Sequence, residues 1–558
     1  MSTSPVDVGK PDEVDTGRLD SSSRRQILLI IAAVVAATEI VPFHLTFVGI
    51  AARFIGQSFP HENASQLTWL TTLYAILGGV AVPVIGKLSD RIGKKKIVVA
   101  CLIVSMVGCA IDALTPSWPV MLLGRALQGL AFPAIFVSYG LIRDLMPRRY
   151  LNMAIALAGG GTGLGAVLGP LAGGVLTDHF TWRALFWFCV VWSLVTILPL
   201  ALFVPETKLR VKCKIDWVGA ALLAIGTAGV LIYLSEGGSW GWIPSLPWVI
   251  GGVVALGLFY AWELYTPEPI MDPKLLRSPR YASVLLAAFM SVGTMTGLGY
   301  VSSFLGETPG GAAGEAIKQQ VAQGAAQQAA AQASLQMHTT IPPEAMQQYF
   351  SVEGHLPGLN LTLLHMTLYT IGMTIVYVIV SPLCGWLSTR IGLRRPYIVS
   401  TLAFIVAGVA YALFHSSVWD LAAIALITGL GAGAYLGTLP NMVVEAVPQE
   451  QQGVSAGMYG AFNSFGTAAA SAAAAAVMAA HPLILHVNIP GHVSTTKLNT
   501  GPLAQLPAES AYTTAFYMFA AISAVAFVLS LFMRQFNRPA TGGQGALSPE
   551  QTAEEPHP

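Results

Sequence analysis

Long apolar runs recur along the chain, each near the roughly 20 residues that a helix needs to cross the hydrocarbon core of a bilayer. Backbone N–H and C=O groups find no water there, so only helices and closed barrels can span it. Unbroken runs of this length select helices. The runs lie near 26–50, 67–88, 97–114, 118–141, 152–176, 183–204, 217–235, 248–265, 282–304, 364–388, 397–414, 420–444, 453–480 and 511–533, about fourteen spans by that length criterion. The composition agrees: only 10 % of the 558 residues are charged, against about 25 % in an ordinary soluble domain. A water-soluble globule is excluded, and a net charge of +1 leaves no basic surface for nucleic acid. The five cysteines (Cys101, Cys109, Cys189, Cys213 and Cys384) are scattered without paired ligand spacing, so neither a disulfide framework nor a metal site is expected.

Basic residues test the span count, because a missed span would invert their sidedness downstream of it. One side collects Lys10, Arg18, Arg24 and Arg25, then Lys87, Arg91 and Lys94 to Lys96, then Arg143, Arg148 and Arg149. It also takes Lys208, Arg210, Lys212 and Lys214, then Lys274, Arg277 and Arg280, then Arg390, Arg394 and Arg395, and finally Arg534 and Arg538. The other side has Arg53, Arg183, Lys318 and Lys497. Both termini are therefore expected in the cytoplasm, with tails over 1–25 and 538–558. The first apolar run is too long for a cleavable leader and is expected to remain in the mature protein.

Two segments on the far side interrupt the pattern. Residues 305–363 hold an Ala/Gln tract from Glu315 to Met337, followed by Pro342 and Pro343; good helix formers there predict a short external helix. An envelope partner is one possible use of this insert. Residues 481–510 read as a polar external loop.

An internal repeat organises the rest. GKLSDRIGKKK at Gly86–Lys96 returns as GWLSTRIGLRR at Gly385–Arg395, with eight of eleven positions alike when Lys and Arg are equated. Each copy ends the second span of a half if the halves begin at spans one and nine. The expected fold is thus all-α and polytopic: a six-helix bundle over 26–205, a linker with two extra transmembrane helices over 206–281, and a second, pseudo-symmetric six-helix bundle over 282–537 that carries the 305–363 insert.

Three motifs carry a resemblance over nearly the whole chain: GKLSDRIGKKK, LLGRALQGL at Leu122–Leu130, and GAVLGPLAGG at Gly165–Gly174 followed by WRALFWF at Trp182–Phe188. With them the sequence resembles the fourteen-span drug:H+ antiporters of the major facilitator superfamily. That resemblance implies a transporter rather than an enzyme, in a bacterial inner (plasma) membrane, driven by a proton gradient without a cofactor. It also implies that Gly86, Asp90, Arg91 and Gly93 form a cytoplasmic gate motif, with Asp90 latching one state. Fixing orientation alone is the alternative reading of the basic cluster. The second copy has Thr389 in place of Asp90. Gly165, Gly169, Pro170, Gly173 and Gly174 match the antiporter motif; small residues let helices approach closely, and Pro170 bends its helix.

Glu39 and Arg125 are the strongest chemical signal. A charge at the bilayer centre costs about 3 kcal/mol or more, so such groups face a cavity or each other and serve function. Moving a carboxyl between dry and wet, or paired and unpaired, settings loads and releases a proton. One pKa unit is about 1.4 kcal/mol, comparable with one pH unit across a membrane, so a single carboxyl suffices for coupling. Glu39 is therefore expected to carry the proton and Arg125 to tune it. The family's usual first-span Asp aligns with His44, which becomes a second titrating candidate.

Trp69, Tyr74, Tyr300, Asn441, Tyr459 and Asn463 lie in or beside spans that line the cavity in relatives, and an aromatic cavity suits lipophilic, often cationic, solutes. No Gly-Lys-Ser/Thr phosphate loop is present, so ATP-driven transport is unsupported. The expected function is proton-coupled export of lipophilic small molecules. A dedicated exporter of one endogenous metabolite or lipid, and a transporter-like sensor or scaffold, remain the alternatives.

Overall fold

The computed structural model describes residues 19–540 apart from 21, 60–63, 209, 211–215, 339, 362, 448–450, 482, 490–491 and 498–506. Lys10, Arg18, Lys212, Cys213, Lys214 and most of both tails thus lie outside the described residues.

The first span is two helices, α1 (Arg24–Thr38) and α2 (Ile40–Ser58), meeting at Glu39. Pro42 explains the break: it has no N–H to return to the Thr38 carbonyl, so the ladder lapses there. Helices α3 (Ala64–Ile92) and α4 (Lys94–Leu114) follow. The fourth span is again split, into α5 (Trp118–Gly129) and α6 (Phe132–Leu145), where Pro133 cannot bond the Gly129 carbonyl. Helices α7 (Arg148–His179) and α8 (Arg183–Phe203) complete the first set.

Two more helices, α9 (Trp217–Trp240) and α10 (Leu246–Tyr265), pack on each other, with α9 also against α3. The short α11 (Pro273–Arg277) leads to α12 (Pro279–Glu307), then α13 (Gly311–Met337) and α14 (Pro343–Gln347). The second set continues with α15 (Leu363–Ile391), α16 (Arg394–Leu413), α17 (Val418–Ala446), α18 (Gln452–Ala480) and α19 (Glu509–Phe532).

Among the described residues, 12 helical segments are long and apolar enough to cross a membrane, where the sequence reading counts about fourteen. Helix α7 is not among the 12, and the described apolar stretch of α9, Trp217–Tyr233, is shorter than the span length. Leu, Ile, Val and Trp side chains cover much of the outer surface, as lipid-facing helices require.

The repeat seen in the sequence is a structural repeat. Gly93 and Gly392 both hold positive φ, +126° and +80°, a region closed to most L-residues. Pro83 and Pro382 stand inside α3 and α15, each three residues before the first glycine of its copy. The two sets meet along two seams. In one, α7 packs against α15 and α17; in the other, α18 packs against α3 and α6.

Beyond the helix ends near Gly311, the two interruptions join. Strand β1 (Phe350–Glu353) pairs antiparallel with β2 (Ile484–Ile489), which pairs antiparallel with β3 (His492–Lys497). The segment expected to be a polar loop is thus a hairpin, and α13, at 27 residues, is longer than the short helix expected. Lys318 on α13 donates to the Gly354 carbonyl after β1 (3.1 Å). Glu509, at the start of α19, lies 3.2 Å from His355 Nδ1 and 3.3 Å from His415 Nε2.

Candidate functional site

Glu39 sits at the break between α1 and α2 with 3 % of its surface exposed. Its Oε2 accepts from the Gly165 N–H of α7 at 2.7 Å, and its Oε1 has no partner among the described residues. Only glycine permits this approach. A Cβ on Gly165 would stand 2.7 Å from Glu39 Oε2 and 2.6 Å from Pro42 Cγ, and one on Gly161 would stand 2.4 Å from Val35. Gly169 meets Thr46 in the same way. The opposite face of α7 meets the second bundle: a Cβ on Gly163 would collide with the Tyr377 hydroxyl, and one on Gly160 with Ser381. The glycines therefore thin α7 on both faces, so that the carboxylate lies one helix away from the other bundle. Gly173 is buried, whereas Gly174 has nothing within 4 Å of where its Cβ would be. The surroundings of the Pro170 side chain lie outside the described residues.

Arg125 is not Glu39's partner among the described residues, so of the two settings left open by the sequence, a cavity or each other, the second does not hold. It is fully buried on α5, and its Nε donates to the Leu70 carbonyl of α3 at 2.7 Å. Its Nη1 donates to Gln128 Oε1, and Gln128 Nε2 donates to Asp112 Oδ2 at 2.7 Å. The guanidinium also lies 4.9 Å from the centre of the Tyr74 ring, a cation–π distance. The physical reason is orientation: α5 turns this polar face toward α3 and α4, whereas the break at Glu39 faces α7.

Asp112 is the functional candidate that sequence reasoning missed. It stands near the end of α4, where an acid reads as a loop-proximal group, but the chain reverses through Thr115–Ser117 and brings it back beside Gln128. An acid and an arginine flanking so short a turn were the available signal. Asp112 Oδ1, Tyr74 Oη, His44 Nδ1 and Arg125 Nη2 have no hydrogen-bond partner among the described residues. His44 is buried, edge-on to Tyr74 with ring centres 5.8 Å apart.

At the other end of α3 the Gly86–Lys96 motif folds around a buried lysine. Lys94 Nζ lies 3.0 Å from Asp90 and 2.9 Å from Asp144 of α6, with Gly140 leaving room for its methylenes. Gly86, Ser89 and Lys94 line a small cavity with Gly457 of α18, so the motif borders the seam. Gly93 is needed twice over, for its φ and because a Cβ would strike Glu206 and Arg210. Glu206 in turn accepts from the first N–H groups of α4, Lys95 and Lys96, both at 3.1 Å, as an acid at a helix N-terminus should. Arg91, placed with Asp90 in the sequence reading, is solvent- or lipid-exposed.

The aromatic and amide candidates divide. Asn463 accepts from the Tyr435 hydroxyl (2.5 Å) and donates to the Tyr459 carbonyl (2.8 Å). Phe136 of α6 meets the Tyr459 ring edge-on across the seam. Asn441 donates to the Asn152 carbonyl of α7 at 3.3 Å, and Ser381 to the Ala156 carbonyl at 2.6 Å, polar contacts between the bundles. Tyr300 is 40 % exposed and stacks on Phe304. Trp69 packs beside Ile76, Leu231 and Ile232, toward α9.

Two helical bundles with an internal repeat, glycine-thinned seams and ionisable groups inside the spans define a membrane transporter of the Major Facilitator Superfamily, to which the chain belongs: the family's sequence model matches residues 28–313 and 325–554. Among curated relatives, an uncharacterized MFS-type transporter of Mycobacterium tuberculosis is 32 % identical over 308 residues, 53 % of this chain and 43 % of that protein. The lincomycin resistance protein LmrB of Listeria monocytogenes is 27 % identical over 47 % of this chain and 56 % of its own length. Multidrug resistance protein 3 of Bacillus subtilis is 28 % identical over 41 % and 46 %. The chain spans about half the length of the curated relatives it matches. In fold it is similar to the human organic anion transporter MFSD10, with TM-score 0.57 and 15 % identity over 91 % of this chain and 99 % of that one. It is likewise similar to the E. coli fucose:proton symporter FucP, with TM-score 0.54 and 13 % identity over 91 % and 99 %.

Proposed function

We propose that the protein exports lipophilic small molecules in exchange for protons. It would do so by alternating access between its two six-helix bundles, in a bacterial inner membrane with both termini in the cytoplasm. The observation that carries this reading is Glu39: a buried carboxylate at a helix break, with one oxygen on the Gly165 N–H and the other without a partner among the described residues. An intramembrane carboxyl is a functional group by default. This one rests on the helix that packs against the second bundle, so rocking of the bundles changes its surroundings and thereby its hold on a proton. Asp112, in the Arg125–Gln128 network, is the second proton candidate. The resistance proteins among the relatives favour drug-like cargo.

The test is uptake into everted vesicles under an imposed pH gradient, with ethidium, tetraphenylphosphonium and lincomycin as probes. Wild type is expected to concentrate at least one probe. Glu39→Gln is expected to lose gradient-driven transport while still binding that probe, and Asp112→Asn to lower the rate. Unchanged uphill transport by Glu39→Gln removes Glu39 from the mechanism. Transport of no lipophilic probe by a folded wild type would favour a dedicated carrier.

A further inference from the structure

A second group of side chains in the first bundle has no part in that scheme. His44 Nε2 lies 3.2 Å from Cys109 Sγ, and with Cys189 Sγ these three atoms all lie within 4.8 Å of one another. They come from three different helices, α2, α4 and α8, and their residues are 1 %, 0 % and 2 % exposed. No other group of three such donors comes this close among the described residues.

We propose that His44, Cys109 and Cys189 form a binding site for one soft metal cation, copper(I). Thiolate sulfur selects Cu(I) and zinc, and imidazole accepts both. A closed set of three donors favours copper(I), because structural zinc is almost always four-coordinate. Bonds of about 2.3 Å to sulfur and about 2.0 Å to nitrogen place ligand atoms roughly 3.5–4 Å apart around a shared ion, a separation this cluster reaches with small side-chain movements. Binding forms two Cu–S bonds and one Cu–N bond and releases the two thiol protons to the medium; no oxidant is consumed. The resulting centre carries one net negative charge. Arg125 supplies the countercharge: its guanidinium lies within electrostatic range of both cysteines, and its Nη2 has no hydrogen-bond partner among the described residues. One ion would tie α2, α4 and α8 together beside the Arg125 network, so loading should also raise thermal stability.

The test uses the full chain in detergent, reduced and anaerobic, with Cu(I) titrated against bathocuproine disulfonate. The expected result is one Cu(I) per chain, weakened about 100-fold or more in Cys109→Ser and in Cys189→Ser. Cys101→Ser, a buried cysteine outside the cluster, should bind as wild type does. X-ray absorption of the loaded wild type should show two sulfurs and one nitrogen, which decides the question even where a serine variant fails to fold. Copper retained equally by the Cys109→Ser/Cys189→Ser variant, or a shell without two sulfurs, overturns the site. Zinc bound more tightly than copper(I) in the parallel titration overturns the assignment of the ion.

Discussion

A single methyl group separates two kinds of glycine in the α7 motif. At Gly165 an added Cβ meets Pro42 and the Glu39 carboxylate below 3 Å, whereas at Gly174 it meets nothing within 4 Å. Gly165→Ala should therefore cost about 1–3 kcal/mol of stability through overpacking and displace Glu39. Gly174→Ala should match wild type in both melting temperature and transport. Thermal unfolding and vesicle transport of the pair check this; an equal effect of the two would mean that the motif acts through something other than steric room. Glu39, Arg125 and the glycines were legible in the sequence because charges and small residues stand out against lipid-facing Leu and Val. Their partners were not, because the azimuth of each helix decides whom a side chain meets. Arg125 could be recognised as special, but nothing local said that α5 would turn it toward Leu70 and Gln128 rather than toward Glu39.

Among the elements, the turn between α3 and α4 shows how a short motif holds two helices and a third. Lys94 binds Asp90 at the end of α3 and Asp144 at the end of α6, so one cation serves carboxylates of two neighbouring helices. Lys94→Met breaks both of these buried pairs and should cost about 3–5 kcal/mol. A melting temperature unchanged from wild type would refute that account. The matching turn in the second bundle has Leu393 in place of Lys94 and so lacks this ion pair, but it keeps the next anchor: Arg394 donates to the Ser530 and Leu531 carbonyls at the end of α19 (2.9 and 2.6 Å), as Lys95 donates to the Ala201 carbonyl near the end of α8 (2.6 Å). The divergence of Thr389 from Asp90 was visible in the repeat, but this shared anchor was not, since its partners are carbonyls far along the chain. The same limit explains the missed hairpin. Ile484–Ile489 finds its β1 partner more than 100 residues upstream, and short strands outside the membrane leave a weak pattern beside twenty-residue apolar runs.

For the molecule as a whole, hydropathy and the repeat were enough to give two bundles, because membrane insertion removes most alternatives before packing begins. The function asked of those bundles requires the seams to part. Along the α3–α18 seam, a Cβ built on Gly79 would lie 3.1 Å from Ser464 Cβ, close to the roughly 3.5–4.5 Å that a disulfide spans. A Gly79→Cys/Ser464→Cys variant should therefore crosslink with a membrane-permeant oxidant and stop transport, with recovery on reduction. Full transport in the crosslinked protein would mean that this seam does not open.

The central claim is that substrate and proton compete for one carrier through Glu39. Its most direct measurement is proton release on substrate binding: tetraphenylphosphonium, or whichever probe binds, added to the purified protein in weakly buffered detergent with a pH indicator present. The account predicts acidification by wild type and none by a Glu39→Gln variant that still binds the probe. Equal proton release from both proteins would contradict it.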